Sequence, residues 1–145
     1  MLAKFIEIIR QEEKLIEELI TLGARQQTAL ITFDTITLEI VTAQQEKITG
    51  ILKDTEDKRI KYLTNWLKIT MKDAETFKLS KLEKMLKEDN QIIVKNLRIR
   101  LKKNLSKLYY INALNRTLSN RARNNVRGVL SAFTSGTSRV CNVKI

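Results

Sequence analysis

The stretch FIEIIRQEEKLIEELITLGARQQTALITFDTIT, residues 5–37, decides the fold. Its apolar side chains recur at alternating intervals of three and four residues, which is the spacing of one face of an α-helix. This spacing predicts one long first helix over about residues 2–33. The positions of this stripe, all apolar except Glu12 and Gln26, are Phe5, Ile8, Glu12, Leu15, Leu19, Leu22, Gln26, Ala29 and Phe33, widened by Ile9, Ile16, Ile20 and Leu30.

The end of this stretch predicts a turn. Thr32, Asp34, Thr35 and Thr37 bring four oxygen-bearing side chains into six residues. Such side chains cap a new helix and compete with the backbone bonds of the old one. Gly23 lies earlier, and the stripe keeps its phase on both sides of it. We therefore expect the first helix to continue through Gly23, at a cost of about 1 kcal/mol relative to alanine.

The rest of the chain repeats the helical pattern. The three-and-four spacing resumes from Leu38 to Ile69 and predicts a second helix over about residues 36–70, antiparallel to the first. Later apolar positions predict helices over about 79–118 and 119–133, followed by a flexible tail, 134–145. The chain has no proline and only four glycines, which argues against a sheet. We predict an all-α fold, with residues 1–133 as one elongated antiparallel bundle of three to four long helices and coiled-coil-like packing.

Several side chains within these helices have predicted positions. Tyr62 and Trp66 lie on the second stripe and are expected in the core. Asn112 and Asn115, one turn apart, are expected to be buried polar residues that fix the helix register, with a bend between helices left open as the alternative. The adjacent carboxylate pairs, such as Glu12 with Glu13, are expected on the solvent side.

Charge is segregated along the chain. Residues 1–75 hold 11 basic and 13 acidic side chains, a net charge of −2, whereas residues 76–145 hold 16 basic and 3 acidic ones, a net charge of +13. No acidic residue follows Asp89. Unpaired like charges repel one another until a partner of opposite potential arrives, so the second half is predicted to meet the partner.

The composition argues against an enzyme. The chain has no histidine, which removes the usual near-neutral acid or base and the commonest metal ligand. It has no phosphate-binding glycine motif and no nucleophile elbow, so we expect no catalytic residue, no cofactor, no metal and no small-molecule substrate. Cys141 is the single cysteine, which favours a reducing, cytoplasmic location. We expect neither a cleavable signal peptide nor a membrane span.

The segment from about Asn104 to Arg127 is a weak helix former. It holds six asparagines and no acid that would pair with its arginines, and both features lower helix stability. It then runs into Val126, Val129, Leu130 and Phe133, an apolar set with helical spacing. Such an element is typical of segments that fold on binding a partner, although the same residues would also serve to close the bundle.

Short motifs along nearly the whole chain resemble the flagellar export chaperones of the FlgN type. Residues 26–34, QQTALITFD, are similar to the family pattern ExxALxxxD, which precedes a helix with a lysine and an arginine fourteen residues apart. Gln26 stands in place of the glutamate and Gln45 in place of the lysine, whereas Arg59 matches the arginine. Residues 112–118, NALNRTL, resemble the paired asparagines of the family, although Arg116 replaces a small residue. Residues 129–133, VLSAF, resemble its final amphipathic helix.

The resemblance implies a small cytosolic chaperone that uses no nucleotide. Such a chaperone keeps the hook-associated proteins of the hook–filament junction soluble and delivers them to the flagellar type III export apparatus. In that family a C-terminal amphipathic helix binds the C-terminal helices of these clients. By position, the binding residues implied here are Leu118, Ala122, Val126, Val129, Leu130 and Phe133.

Two alternative functions remain open at this point. The net charge of +11, with Tyr109 and Tyr110 among basic residues, is also found in proteins that bind single-stranded nucleic acid, but two adjacent helical positions point in different directions. The long heptads are also typical of a structural bundle that self-associates into a homo-oligomer.

Overall fold

The first two helices meet at the predicted turn. The computed structural model describes the backbone of residues 1–137 and the side chains of residues 1–132, and in it α1 spans Leu2–Thr32 and α2 spans Thr35–Leu67. Phe33 ends α1 in the left-handed conformation, with φ 53°. The Asp34 carboxylate caps α2 by accepting hydrogen bonds from the backbone N–H (3.1 Å) and the hydroxyl (2.6 Å) of Thr37. These bonds lower the pKa of Asp34.

Two short helices lead to the last long one. Lys68 ends α2 in the left-handed conformation, so the predicted end at residue 70 is late by three residues. Thr70 caps α3, Met71–Glu75, by accepting a hydrogen bond from the Asp73 N–H (3.2 Å). Helix α4 spans Leu79–Met85 and α5 spans Glu88–Thr137.

The predicted helices over 79–118 and 119–133 are wrong in their bounds. The first is interrupted between Met85, the last residue of α4, and Glu88, the first residue of α5, which adopts a positive φ of 53°. The second boundary, between residues 118 and 119, does not exist, because α5 is continuous to Thr137. No glycine or proline occurs between residues 88 and 127 to interrupt the helical hydrogen bonds. Residues 134–137 are helical too, rather than tail, and the rest of the predicted tail, 138–145, lies outside the described residues.

Helix α1 lies at the centre of the bundle. It packs against α2 on one side and against α5 on another, whereas over the described residues no Cα atom of α2 comes within 8 Å of a Cα atom of α5. Contacts between Glu12 and Arg59 and between Gln26 and Gln45 show that α1 and α2 are antiparallel. The contact of Glu13 with Arg100 and the later contact of Gln26 with Asn115 show that α5 runs parallel to α1. An open groove, which we call the α2–α5 groove, therefore runs along α1 between its two neighbours.

The main core lies at the end of the bundle where α1 begins, which we call the packed end. Phe5 is 1% exposed, and its ring centroid lies 5.7 Å from that of Trp66 and 6.5 Å from that of Tyr62, so both aromatics pack on the core as predicted. Helices α3 and α4 close this end with Ala74 and Leu82. The cluster of buried residues is Phe5, Ile9, Ile16, Leu63, Ala74, Leu82, Val94, Leu97 and Leu101.

Packing against α5 explains the presence of a glycine at position 23 in α1. The helix continues through it as predicted, and a Cβ atom built there would lie 2.5 Å from Cγ2 of Ile111 on α5. The absence of a side chain therefore lets α1 and α5 approach closely. Among the residues that the structure describes, no helix is long and apolar enough to cross a membrane.

Candidate partner-binding surface

Helix α5 is longer than the bundle it belongs to. Asn115 contacts Gly23 and Gln26 on α1, so the last residue of α1, Thr32, lies opposite the part of α5 near Ala122. Beyond that point α5 continues to Thr137, a distance of about 22 Å at 1.5 Å per residue. We call residues 123–137 the projecting segment, because α1 offers no surface to pack on there.

The six implied binding residues differ in burial along this length. Leu118 and Ala122 lie beside the end of α1 and are half-buried. Val126, Val129 and Leu130 are 53%, 68% and 36% exposed. The side chain of Phe133 lies outside the described residues. The spacing of the five described residues places them on one face of α5, so the structure brings them together as a continuous apolar stripe.

The surroundings of the stripe are basic. Arg121, Arg123 and Arg127 are exposed on the same part of α5, and none of them has an ion-pair partner among the described residues. No acidic residue follows Asp89 in the sequence to supply one. The apolar stripe is therefore flanked by positive charge, which favours a partner of negative potential.

The carboxylates of Glu12 and Glu13 are buried, so the predicted solvent-exposed position is wrong. Each residue is only 8% exposed. Glu12 accepts a hydrogen bond from Nε of Arg59 on α2 (2.9 Å), and Glu13 accepts two from Arg100 on α5 (2.7 and 3.2 Å). Adjacent helical residues are about 100° apart, and α1 is covered on two sides, so each glutamate faces a different neighbour. The prediction assumed a single buried face for α1 and therefore missed both ion pairs.

The two ion pairs differ in how exposed the arginine is. The side chain of Arg59 is 17% exposed, whereas that of Arg100 is 54% exposed. Burial raises the pKa of Glu12 above its ordinary value, although Arg59 opposes the change through its charge and its hydrogen bond. The hydrogen bond to Glu13 raises the pKa of Arg100. The Glu12–Arg59 pair is therefore the one in which loss of the arginine would leave a largely buried charge without a partner.

A neutral amide network links the three long helices. Nδ2 of Asn115 donates to the carbonyl oxygen of Gly23 (2.8 Å) and to Oε1 of Gln26 (3.1 Å), and Nε2 of Gln45 donates to the same oxygen (3.0 Å). Asn115 is buried as predicted, whereas Asn112 is exposed, contrary to the prediction. Gln26 and Gln45, the two positions that depart from the ExxALxxxD and lysine pattern, are therefore in contact with each other.

Tyr109 and Tyr110 are both exposed, near the middle of α5. Adjacent residues on a helix point about 100° apart, so the two rings do not face one groove, as expected from their spacing. Stacking platforms for single-stranded nucleic acid present their aromatic faces along one track. The arrangement of these tyrosines therefore adds nothing to the case for nucleic acid.

Comparison with known protein families gives a match over nearly all of this chain. The family model described as FlgN protein matches residues 1–142. Searches of curated proteins and of solved structures returned no match.

Proposed function

Because this chain belongs to the FlgN family of flagellar export chaperones, we propose that the last part of α5, from Leu118 through the projecting segment, binds the C-terminal helices of hook-associated proteins. The binding residues in this proposal are Leu118, Ala122, Val126, Val129, Leu130 and Phe133. The protein works in the cytoplasm, keeps these clients soluble and presents them to the flagellar export apparatus. Binding involves no chemical step. The expectations of no enzymatic activity, cofactor or metal stay predictions.

The observation that carries this proposal is that the part of the apolar stripe beyond α1 has no packing neighbour among the described residues. Val126, Val129 and Leu130 are large apolar residues that remain exposed on a helix extending beyond α1. A contiguous exposed apolar surface is typical of a site where another protein binds. An amphipathic client helix would cover this surface with the apolar residues at its i, i+3, i+4 and i+7 positions, which is the spacing that such interfaces use.

The charges around the stripe support a helical client with acidic residues. Arg121, Arg123 and Arg127 would steer such a client toward α5 and increase the association rate, while the apolar side chains supply most of the affinity. The same positive charge opposes pairing of this segment with a second copy of itself, since like charges in close contact repel.

A binding experiment with matched variants tests the proposal. Labelled peptides from the C-terminal helices of hook-associated proteins are titrated with the full chain and with Val126→Asp/Val129→Asp, and fluorescence anisotropy reports the Kd. We expect wild-type binding and a loss of about tenfold or more in the variant, because a carboxylate replaces each buried apolar contact. Asn124→Asp is the charge control, since residue 124 lies on the opposite face of the helix.

The result that would overturn the proposal is the absence of a complex with every such peptide. Unchanged binding after truncation at Leu118 would overturn the assignment of the projecting segment. Two further measurements separate the alternatives. Single-stranded nucleic acid binding would weaken with salt, with a log–log slope of about −0.7 per phosphate contact. Self-association would appear in light scattering as a mass that rises with concentration.

A further inference from the structure

We propose that the α2–α5 groove is a second docking site for the client, and that it takes an amphipathic α-helix with acidic flanks. This inference rests on the proposed function and extends it, because it adds a contact surface on the body of the bundle. The client helix would lie along α1 between α2 and α5 and complete a four-helix arrangement. Its apolar face would meet the floor of the groove, and its acidic flanks would meet the basic wall formed by α5.

The first argument is the shape of the groove. Helices α2 and α5 both pack on α1 but not on each other, so α1 is the floor and the other two are the walls. Toward the packed end the groove is lined by apolar side chains from all three helices and by Phe77 and Leu79 beside the start of α4. Leu52, which is half-buried, and Leu105 would meet a docked helix, whereas Ile9, Ile16, Leu63 and Leu101 lie beneath them in the core. Leu105 is 50% exposed, although it belongs to this apolar lining.

The second argument is the charge of the lining. The carboxylates that line it, Glu12 and Glu56, both pair with Arg59. In contrast, Lys102 lines the same part of the groove, and Arg116 and Arg123 line its continuation, without an ion-pair partner among the described residues. The unpaired charges of the lining are thus positive, which selects an occupant with Asp or Glu at its flanks over a neutral or basic helix.

The third argument is continuity with the projecting segment. Leu105, Arg116 and Arg123 line the groove at intervals of 11 and 7 residues, which are three and two helical turns, so they lie on one line along α5. Leu130 follows after another 7 residues and continues that line into the apolar stripe. One client, or two helices of one client, can therefore contact the groove and the projecting segment without crossing a covered surface.

Two pairs of matched variants of the full chain test the groove. Leu105→Glu places a charge on the groove lining, whereas Ile99→Glu changes a residue of α5 that is equally exposed, at 49%, and lies off the groove. Lys102→Glu reverses a charge of the lining, whereas Lys103→Glu reverses a neighbouring exposed charge on another side of the helix. Circular dichroism on each variant establishes that the helical content is kept before binding is compared.

The probes are the client peptides and two synthetic helices. One synthetic peptide has leucines at i, i+3, i+4 and i+7 flanked by glutamates, and the other has lysines in place of the glutamates. We expect Leu105→Glu to weaken binding of the acidic peptide and of the client peptides by about tenfold, and Lys102→Glu to weaken it severalfold. The Ile99 and Lys103 controls should stay within about twofold of wild type.

The outcomes separate this inference from the proposed function. If client peptides bind and only the Val126/Val129 variant weakens them, the groove proposal is overturned and the proposed function stands. If client peptides fail while the acidic peptide binds and Leu105→Glu abolishes that binding, the groove is supported and the proposed client is wrong. Equal binding of the basic and acidic peptides overturns it, as does a wild-type dimer that Leu105→Glu converts to a monomer, since the occupant would then be a second copy.

Discussion

At the packed end, Phe5 on α1 is 1% exposed and belongs to a buried cluster to which α2, α3, α4 and α5 also contribute. On the projecting segment, Val129 is as apolar in character but 68% exposed. Both residues lie on helical stripes of the same spacing. The difference is that α1 ends at Thr32, whereas α5 continues to Thr137. An apolar stripe is therefore a core only where a second helix reaches it, and elsewhere it is a surface available to a partner.

The largest contrast between the two regions should appear when one apolar side chain is removed from each. We expect Phe5→Ala to lower the free energy of unfolding by about 3–5 kcal/mol, because it leaves a cavity in the core. Val129→Ala should change it by less than about 0.5 kcal/mol. Urea unfolding followed by circular dichroism measures both. Similar losses in the two variants would mean that the projecting segment is packed in solution.

The next largest effect should come from the ion pair between α1 and α2. Arg59→Met leaves the buried Glu12 carboxylate unpaired and should cost about 3 kcal/mol at pH 7, whereas Glu12→Gln should cost clearly less. The projecting segment offers no comparable pair among its described residues. Equal losses for the two variants would show that the pair matters only for its packing.

The Glu12–Arg59 pair should also make the free energy of unfolding depend on pH. Burial raises the pKa of Glu12, so the folded chain holds the proton more tightly than the unfolded chain does. Glu12 therefore contributes stability that is fully present below its ordinary pKa of 4.5 and is lost as the pH rises through its pKa in the folded chain. Arg59→Met removes the group that opposes this shift. Unfolding measured from pH 4 to 7 should show Arg59→Met nearest to wild type at the acid end, and a constant difference would contradict this explanation.

A smaller effect distinguishes two glycines of the long helices. Gly23→Ala should destabilise the protein by about 1–3 kcal/mol, because the new methyl group meets Ile111 on α5. Gly50→Ala, in the interior of α2, has nothing within 4 Å and should stabilise it by about 0.5–1 kcal/mol. Thermal unfolding of the two variants provides the test. A stabilising Gly23→Ala would mean that α1 and α5 do not approach closely in solution.

The smallest effect is local to the projecting segment. Amides of residues 123–132 should exchange hydrogen rapidly in the free chain and become protected when a client binds, whereas those of the packed end are protected throughout. Gly128→Ala, where nothing lies within 4 Å, should slow this exchange a few-fold without changing the Tm. Slow exchange in the free wild-type chain would place the segment in a folded contact and remove the contrast with the packed end.

Local sequence features predicted the elements that depend on near neighbours in the chain. The turn at Asp34 follows from side chains that bond the next backbone N–H groups, and the continuation of α1 through Gly23 follows from the phase of the stripe. The apolar stripe from Leu118 to Leu130 was named from the family resemblance, and its helical spacing agrees with the structure, which places these residues on one face of α5. Their role in binding stays a proposal.

Other features could not be predicted because they depend on which helix faces which. Glu12 and Glu13 have the composition of a solvated face, and their burial results from α1 having two neighbours. The boundary expected between residues 118 and 119 came from the positions of the apolar residues, but no helix-breaking residue interrupts α5 there. Nothing in the local spacing of α2 and α5 shows that they leave a groove between them.

The amino-acid sequence by itself determined that the chain is helical, where its first turn lies and that its second half is basic, because these depend on spacing, capping and composition. Only the tertiary structure decided that α1 is central, that two glutamates are buried, and that α5 projects beyond the end of α1. The physical reason is that burial is a property of pairs of helices. Their lengths and relative positions determine which apolar faces are covered and which remain open to a partner.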